Sequence, residues 1–181
     1  MSVLGKVWRE VMLARCGRIE RSARKAVERQ YATLDSLLRR GRYTSFGREF
    51  GLRSVRSAED FMRRVPRFDY DSYESYIDRM RQGERNVSAE GRVRMFARSS
   101  GTSSRSKYIP LTRRALLRNH LRGMADVVSL YLLSHPASRL FDGLTLTLSG
   151  TTRREGEALV GDLSALIVQA VGDWGGLPWE R

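Results

Sequence analysis

A single cysteine, Cys16, and only two histidines, His120 and His135, leave this 181-residue chain without a disulfide framework, a cysteine zinc site or a short histidine metal motif. Prolines are few, so Pro66 and Pro136 stand out as stops between elements. Long apolar runs are missing as well. The longest, Val127–Leu133, is broken by Ser129 and falls far short of the ~20 residues that span a bilayer. Arg9 and Glu10 interrupt the N-terminus before the apolar region of a signal peptide can form. No membrane partner is expected, and a chain with one thiol reads as cytoplasmic. Lysine is scarce too. Only Lys6, Lys25 and Lys107 occur among 33 basic residues, a skew that reads partly as arginine-rich coding rather than as a nucleic-acid-binding tail.

What is present suffices for a core. The chain is 41% hydrophobic and 29% charged, which argues against wholesale disorder, and its length fits one domain or part of a larger one. The net charge of +13 is uneven: residues 1–67 carry +10, residues 68–122 carry +6, and residues 123–181 carry −3.

From Leu4 to Arg40 the apolar positions recur at steps of three and four, the period of one helix face. Gly17 is a candidate divider of this stretch and Gly41 a stop. Arg18, Arg21, Lys25 and Arg29 line another face. That face fits a solvated amphipathic helix better than a phosphate-contacting one, because aromatics are not interleaved with the arginines. Residues 42–56 read as a connection. Ser57-Ala-Glu-Asp60 is a capping signature that opens a short helix over Ala58–Arg64, ending before Pro66. Tyr70, Tyr73, Tyr76 and Ile77 sit at helical steps, and their tyrosine row reads as packing. Val93, Met95 and Ala97 alternate with Arg92, Arg94, Phe96 and Arg98, which predicts a strand. A helix follows from Arg113 to Ser134. Leu144, Leu146 and Leu148 alternate with polar residues and predict a second strand ending at Gly150. The stretch through Arg153-Arg-Glu-Gly156 reads as a loop. A final helix spans Ala165–Val171, with Asp162 or Ser164 as its cap.

One stretch calls for a chemical explanation. Ser99-Ser-Gly-Thr-Ser-Ser-Arg-Ser-Lys107 sets hydroxyls and one glycine between a strand and a basic residue. Hydroxyls donate to phosphate oxygens, Gly101 lets backbone approach an anion, and Arg105 and Lys107 supply positive charge. It is not a Walker A loop, which places a glycine before the lysine. Composition alone allows a flexible serine-rich linker equally well. The patterned strand and helix on either side favour the anion-binding reading.

Ser99-Ser100-Gly101-Thr102-Ser103, with Lys107 and Ile109-Pro110, resembles the phosphate-binding loop of the auxin-responsive acyl acid–amido synthetases, a family of the adenylate-forming ligases. Upstream, Thr44-x-Phe46-Gly47, Glu59-Asp60-Phe61, Val65-Pro66, Tyr70, Tyr76-Ile77-x-Arg79-Met80 and Gly83-Glu84-x-Asn86-Val87 follow the family's order. Downstream, His120-x-x-Gly123-x-x-Asp126, Phe141-x-Gly143 and Gly161-Asp162-Leu163-Ser164-Ala165 resemble its bacterial members. The resemblance covers most of residues 30–170.

It implies an α/β fold: the N-terminal part of the large domain of an adenylate-forming ligase, helical at first and then mixed strands and helices, incomplete in this chain. Residues 1–41 would form an amphipathic helical region, 42–171 the partial adenylate-forming domain, and 172–181 a divergent tail. The implied reaction is ATP-dependent amide formation between a carboxylic acid and an amino acid through an acyl-adenylate, with Mg2+ accompanying the nucleotide. Ser99, Ser100, Thr102 and Ser103 would donate to phosphates, Gly101 would allow the approach, and Lys107 would pair with charge. His120, Gly123, Met124 and Asp126 would line the acyl-acid pocket, although a surface or capping role suits His120 equally. No specific nucleic-acid partner is implied. Ser104 and Arg105 occupy a span where family loops carry one residue more, often with a glycine pair. The family's later nucleotide-binding motifs have no counterpart, so the expectation is a fragment inactive alone. The competing readings are a basic module for nucleic acid or anionic surfaces, steered by the charge of the first 122 residues, and a non-functional remnant.

Overall fold

The computed structural model describes residues 3–99, 106–142 and 146–173. The chain divides into two compact units: Met1–Tyr31 with Arg114–Leu148, and Ala32–Arg113 with Ser149–Arg181.

The first unit is helical. Helix α1 spans Val3–Arg24 and α2 spans Ala26–Gly41, running on into the second unit. The break between them falls at Lys25 rather than at Gly17, which sits inside α1. A lone glycine inside a long amphipathic helix costs only about 1 kcal/mol, too little to end it. The long helix expected over 113–134 is present as α6, Arg113–Ala115, a π-helical turn, Leu116–Leu121, and α7, Arg122–Ser134. Helix α7 packs along α1. Buried Ser129 is satisfied within this pair: its hydroxyl donates to the Ala125 carbonyl at 2.6 Å, and its own carbonyl accepts the Cys16 thiol at 3.3 Å.

The second unit holds a four-stranded sheet. Strands β1, Met95–Arg98, β2, Tyr108–Leu111, β3, Thr152–Glu155, and β4, Ala158–Gly161, are ordered β2-β1-β4-β3. β1 and β4 run parallel at the centre; β2 and β3 pair antiparallel outside them. Consecutive strand residues face opposite sides of a sheet. Phe96 and Ala97 are nonetheless both buried, so both faces of β1 are covered. On one face Phe96 and Val160 join Tyr76, Ile77 and Met80 of α5, Tyr70–Arg81. Helix α8, Leu163–Asp173, packs on β1 and β4. Pro110 lies in edge strand β2, where its missing N–H is tolerated.

The residues between α2 and α4 are more ordered than a plain connection. They form helix α3, Ser45–Glu49, and a 3-10 turn, Leu52–Ser54. Phe46 and Phe50 give the reason. Both turn into an aromatic cluster with Phe68, Tyr73 and Tyr76, ring centroids 4.7–6.1 Å apart, which makes the tyrosine row of α5 packing as its spacing suggests. Helix α4 spans Ala58–Arg64, capped by the Ser57 hydroxyl, which accepts the Asp60 N–H.

Two strand expectations need correction. Residues 146–150 form no strand, and Leu146 and Leu148 are exposed; Leu144 lies outside the described residues. The stretch read as a loop supplies β3 instead, turned onto β4 through Gly156-Glu157. Gly156 sits at φ 60°, and this left-handed backbone in a two-residue hairpin turn fixes the register Glu155 to Ala158. β3 thereby covers the outer edge of β4. Alternation of leucines predicts a strand only where an open sheet edge can receive it.

Candidate functional site

The parallel strands β1 and β4 end side by side, at Arg98 and Gly161. Open α/β sheets bind ligands outside the carboxyl ends of such strands. A cleft of about 450 Å3 opens there, lined by Arg98, Ser99, Ser106, Thr151, Arg153, Val160, Gly161 and Asp162. Two glycines shape it. A β-carbon on Gly161 would stand 2.7 Å from the Thr151 carbonyl oxygen, and one on Gly150 would stand 1.9 Å from the Asp162 Oδ2. The Asp162 carboxylate therefore rests against bare backbone. Helix α8 starts one residue beyond, at Leu163.

Hydroxyls and guanidinium groups give the cleft its chemistry. One Nη of Arg98 donates to the Ser106 hydroxyl at 2.7 Å. The Nε of the same side chain is buried and, among the described residues, has no hydrogen-bond acceptor. Leaving such a donor unsatisfied costs about 1–3 kcal/mol. Arg153 is already engaged: its Nε and Nη2 donate to Glu155 Oε1 at 2.9 and 2.5 Å. Behind it Arg81 donates to Glu155 Oε2 at 3.0 Å and lies 3.7 Å over the Tyr108 ring. Burial pushes the Glu155 carboxyl up, but hydrogen bonds from Arg153 and Arg81 outweigh it and hold the group below its usual 4.5. No cluster of three potential metal-ligating side chains occurs among the described residues.

The residues expected to bind phosphate are placed as follows. Ser99 lines the cleft, and its N–H donates to the Lys107 carbonyl at 3.0 Å, tying the two ends of the serine-rich stretch together. Ser100, Gly101, Thr102 and Ser103 lie outside the described residues. The Lys107 ammonium lies 5.1 Å from the centre of the Tyr70 ring, and Lys107 is not in the cleft lining. The residues expected to face an acyl acid all belong to the first unit. Met124 is exposed, His120 and Gly123 are partly buried, and Asp126 accepts the Arg15 Nε at 2.6 Å. Sequence reasoning missed Arg98, Thr151 and Arg153. The available signal was position: each sits at or beside a strand end that meets the cleft.

Most of the family-like words upstream of the cleft are architectural. Thr44 caps α3 by accepting the Gly47 N–H at 2.9 Å and donates to the Gly41 carbonyl at 2.6 Å. Asn86 takes a left-handed backbone, φ 57°, and its side-chain oxygen accepts the Gly91 N–H at 2.7 Å. The Asn86 and Val87 carbonyls accept the N–H groups of Ser45 and Phe46. Arg79 clamps Glu84 with two hydrogen bonds and reaches Ser45 with a third. These words hold α3, α5 and the 83–91 turn together beneath the sheet.

Residues 15–171 match the model of the GH3 family N-terminal domain. Among solved structures, the chain is similar to the one described as AtGH3.15 acyl acid amido synthetase in complex with 2,4-DB, with a TM-score of 0.71 and 23% identity, covering 83% of this chain and 27% of that one. A second, described as GH3.15 acyl acid amido synthetase, gives a TM-score of 0.63 and 26% identity, covering 78% of this chain and 26% of that one. The chain thus spans about a quarter of the length of these solved relatives. No curated protein matches the sequence.

Proposed function

Because this chain belongs to the GH3 family, whose N-terminal domain it matches over residues 15–171, we propose that it contributes the phosphate-binding part of an ATP-dependent acyl acid–amido ligase. In that reaction a carboxylate oxygen attacks the α-phosphorus of ATP, pyrophosphate leaves, and the acyl-adenylate forms. The amine of an amino acid then attacks the activated carbonyl, displacing AMP and losing a proton as the amide forms. The observation that carries the reading is the cleft at the carboxyl ends of β1 and β4, which Ser99, Ser106, Thr151 and Arg98 line.

The division of labour follows from charge. Pyrophosphate departs with growing negative charge, so donors already in place lower the barrier without reorganising. Ser99, together with Ser100, Thr102 and Ser103 of the following stretch, would donate to phosphate oxygens, while Gly101 permits close backbone approach. Magnesium bound to the nucleotide would offset its remaining charge. His120, Gly123 and Met124 would line the acyl-acid pocket.

Calorimetric titration of the chain with MgATP tests the reading. Saturable binding that inorganic pyrophosphate competes away is expected, and it should weaken in a Ser99→Ala, Ser106→Ala double variant that melts at the wild-type temperature. No saturable binding at millimolar nucleotide, or binding indifferent to both serines, overturns it.

A further inference from the structure

We propose that Arg98, rather than Lys107, is the cation that grips the polyphosphate, an inference that rests on the ligase reading above and narrows it to one side chain. Arg98 ends β1 and lines the cleft. Its guanidinium is tethered at one corner by the Ser106 hydroxyl, 2.7 Å away, and its Nε is buried, so the terminal nitrogens are the donors offered to a ligand. Among the described residues no carboxylate forms an ion pair with it, so its positive charge is not cancelled locally.

The other cations nearby are engaged elsewhere. Arg153 lines the same cleft, but two of its donors are on Glu155. Lys107 stacks its ammonium over Tyr70, outside the cleft lining. The acid among the lining residues, Asp162, lies against Gly150. Arg98 is thus the cleft cation whose charge has no carboxylate partner among the described residues.

Geometry favours a phosphate chain over a single carboxylate as its ligand. A guanidinium presents parallel N–H groups that match two oxygens of one phosphate or of neighbouring phosphates. The Ser106 tether fixes the orientation before the ligand arrives, so little side-chain freedom is lost on binding. Ser99 and Thr151 line the same cleft and carry hydroxyls that could serve the remaining oxygens. The ligand class is a polyphosphate: MgATP before the reaction and pyrophosphate after it.

The test compares the wild-type chain with Arg98→Gln, Arg98→Lys and Lys107→Gln, titrating each with MgATP and separately with inorganic pyrophosphate, with thermal melting as the fold control. Arg98→Gln is expected to weaken both ligands roughly tenfold or more, the loss of one charged hydrogen bond, at an unchanged melting temperature. Lys107→Gln is expected to lose less. Wild-type affinity in Arg98→Gln, or a larger loss in Lys107→Gln, overturns the assignment. Should Arg98→Gln not fold, Arg98→Lys decides: it keeps the charge but lacks the paired donors of the guanidinium, so it should bind pyrophosphate measurably more weakly, and wild-type affinity there overturns the assignment too. A wild-type chain that binds neither ligand removes the ligase reading itself, an outcome distinct from the variant pattern.

Discussion

Gly47 approaches the Gly41 carbonyl so closely that a β-carbon on residue 47 would stand 1.9 Å from that oxygen. The contact lets the end of α2 turn directly into α3, with Thr44 bonded to both glycines. Backbone, not a flexible side chain, is what a new methyl group would meet. Gly47→Ala is therefore expected to destabilise the chain by about 2–3 kcal/mol, the upper part of the overpacking range. Denaturant unfolding of the variant measures it, and a midpoint equal to wild type would show that the close approach is not required.

Asn86 offers a cleaner separation of strain from bonding. It holds a left-handed backbone and accepts the Gly91 N–H. Asn86→Ala loses the hydrogen bond and keeps the strain, about 1–2 kcal/mol for a residue with a β-carbon. Asn86→Gly loses the same bond but relieves the strain. The glycine variant is expected to be the more stable of the two, by about 1 kcal/mol, in paired urea unfolding curves. The reverse order would show that the left-handed backbone at this position carries no strain for glycine to relieve.

Local signals with a chemical mechanism were legible in the sequence. Ser57 and Pro66 bracket α4 at its observed ends because a cap and a proline act within a few residues. The strand before the serine-rich stretch was legible from alternation, and the order of family-like words identified the fold. What those words do was not legible. Thr44, Gly47, Gly83 and Asn86 read as a signature, yet their work is to hold backbone turns, which depends on contacts across the fold. Strand β3 was hidden for a related reason. Thr152-Arg-Arg-Glu155 has no apolar alternation because it is an edge strand, and charges there discourage further pairing. Arg98 was read as the outer position of an alternating strand. Only the parallel pairing of β1 with β4, set by residues some sixty positions apart, places it at a cleft.

Glu155 links the sheet edge to the cleft wall, and its titration should be visible in stability. Burial opposes its ionisation, but bonds from Arg153 and Arg81 hold its carboxyl below the usual 4.5 in the folded chain. A depressed carboxyl stabilises the fold above its unfolded value and loses that contribution as pH falls through the folded one. Glu155→Gln is thus expected to be less stable than wild type at neutral pH. The gap should shrink once pH drops below about 4.5. Unfolding midpoints measured from neutral pH down to about 3 check the sign. A gap that is constant over this range would mean that packing, not charge, accounts for the residue.

Asp126 poses the sharpest choice between substrate contact and architecture. The family-like spacing from His120 implies an acyl-acid pocket, whereas the structure gives its carboxylate to Arg15 at 2.6 Å, with both side chains partly shielded, at 33% and 19% exposure. Arg15 also donates to the Arg122 carbonyl at 3.2 Å, so one guanidinium ties α1 to α7 at two points. A partly buried, charge-assisted bond of this kind is worth about 1 kcal/mol. Asp126→Ala and Arg15→Ala should each lower the melting temperature, and the double variant should lose less than their sum, because the second change removes a partner already lost. A residue that acts only on substrate would show additive effects and an unchanged melting temperature in the single aspartate variant. The thermodynamic cycle therefore separates the two roles without any need to know the acid.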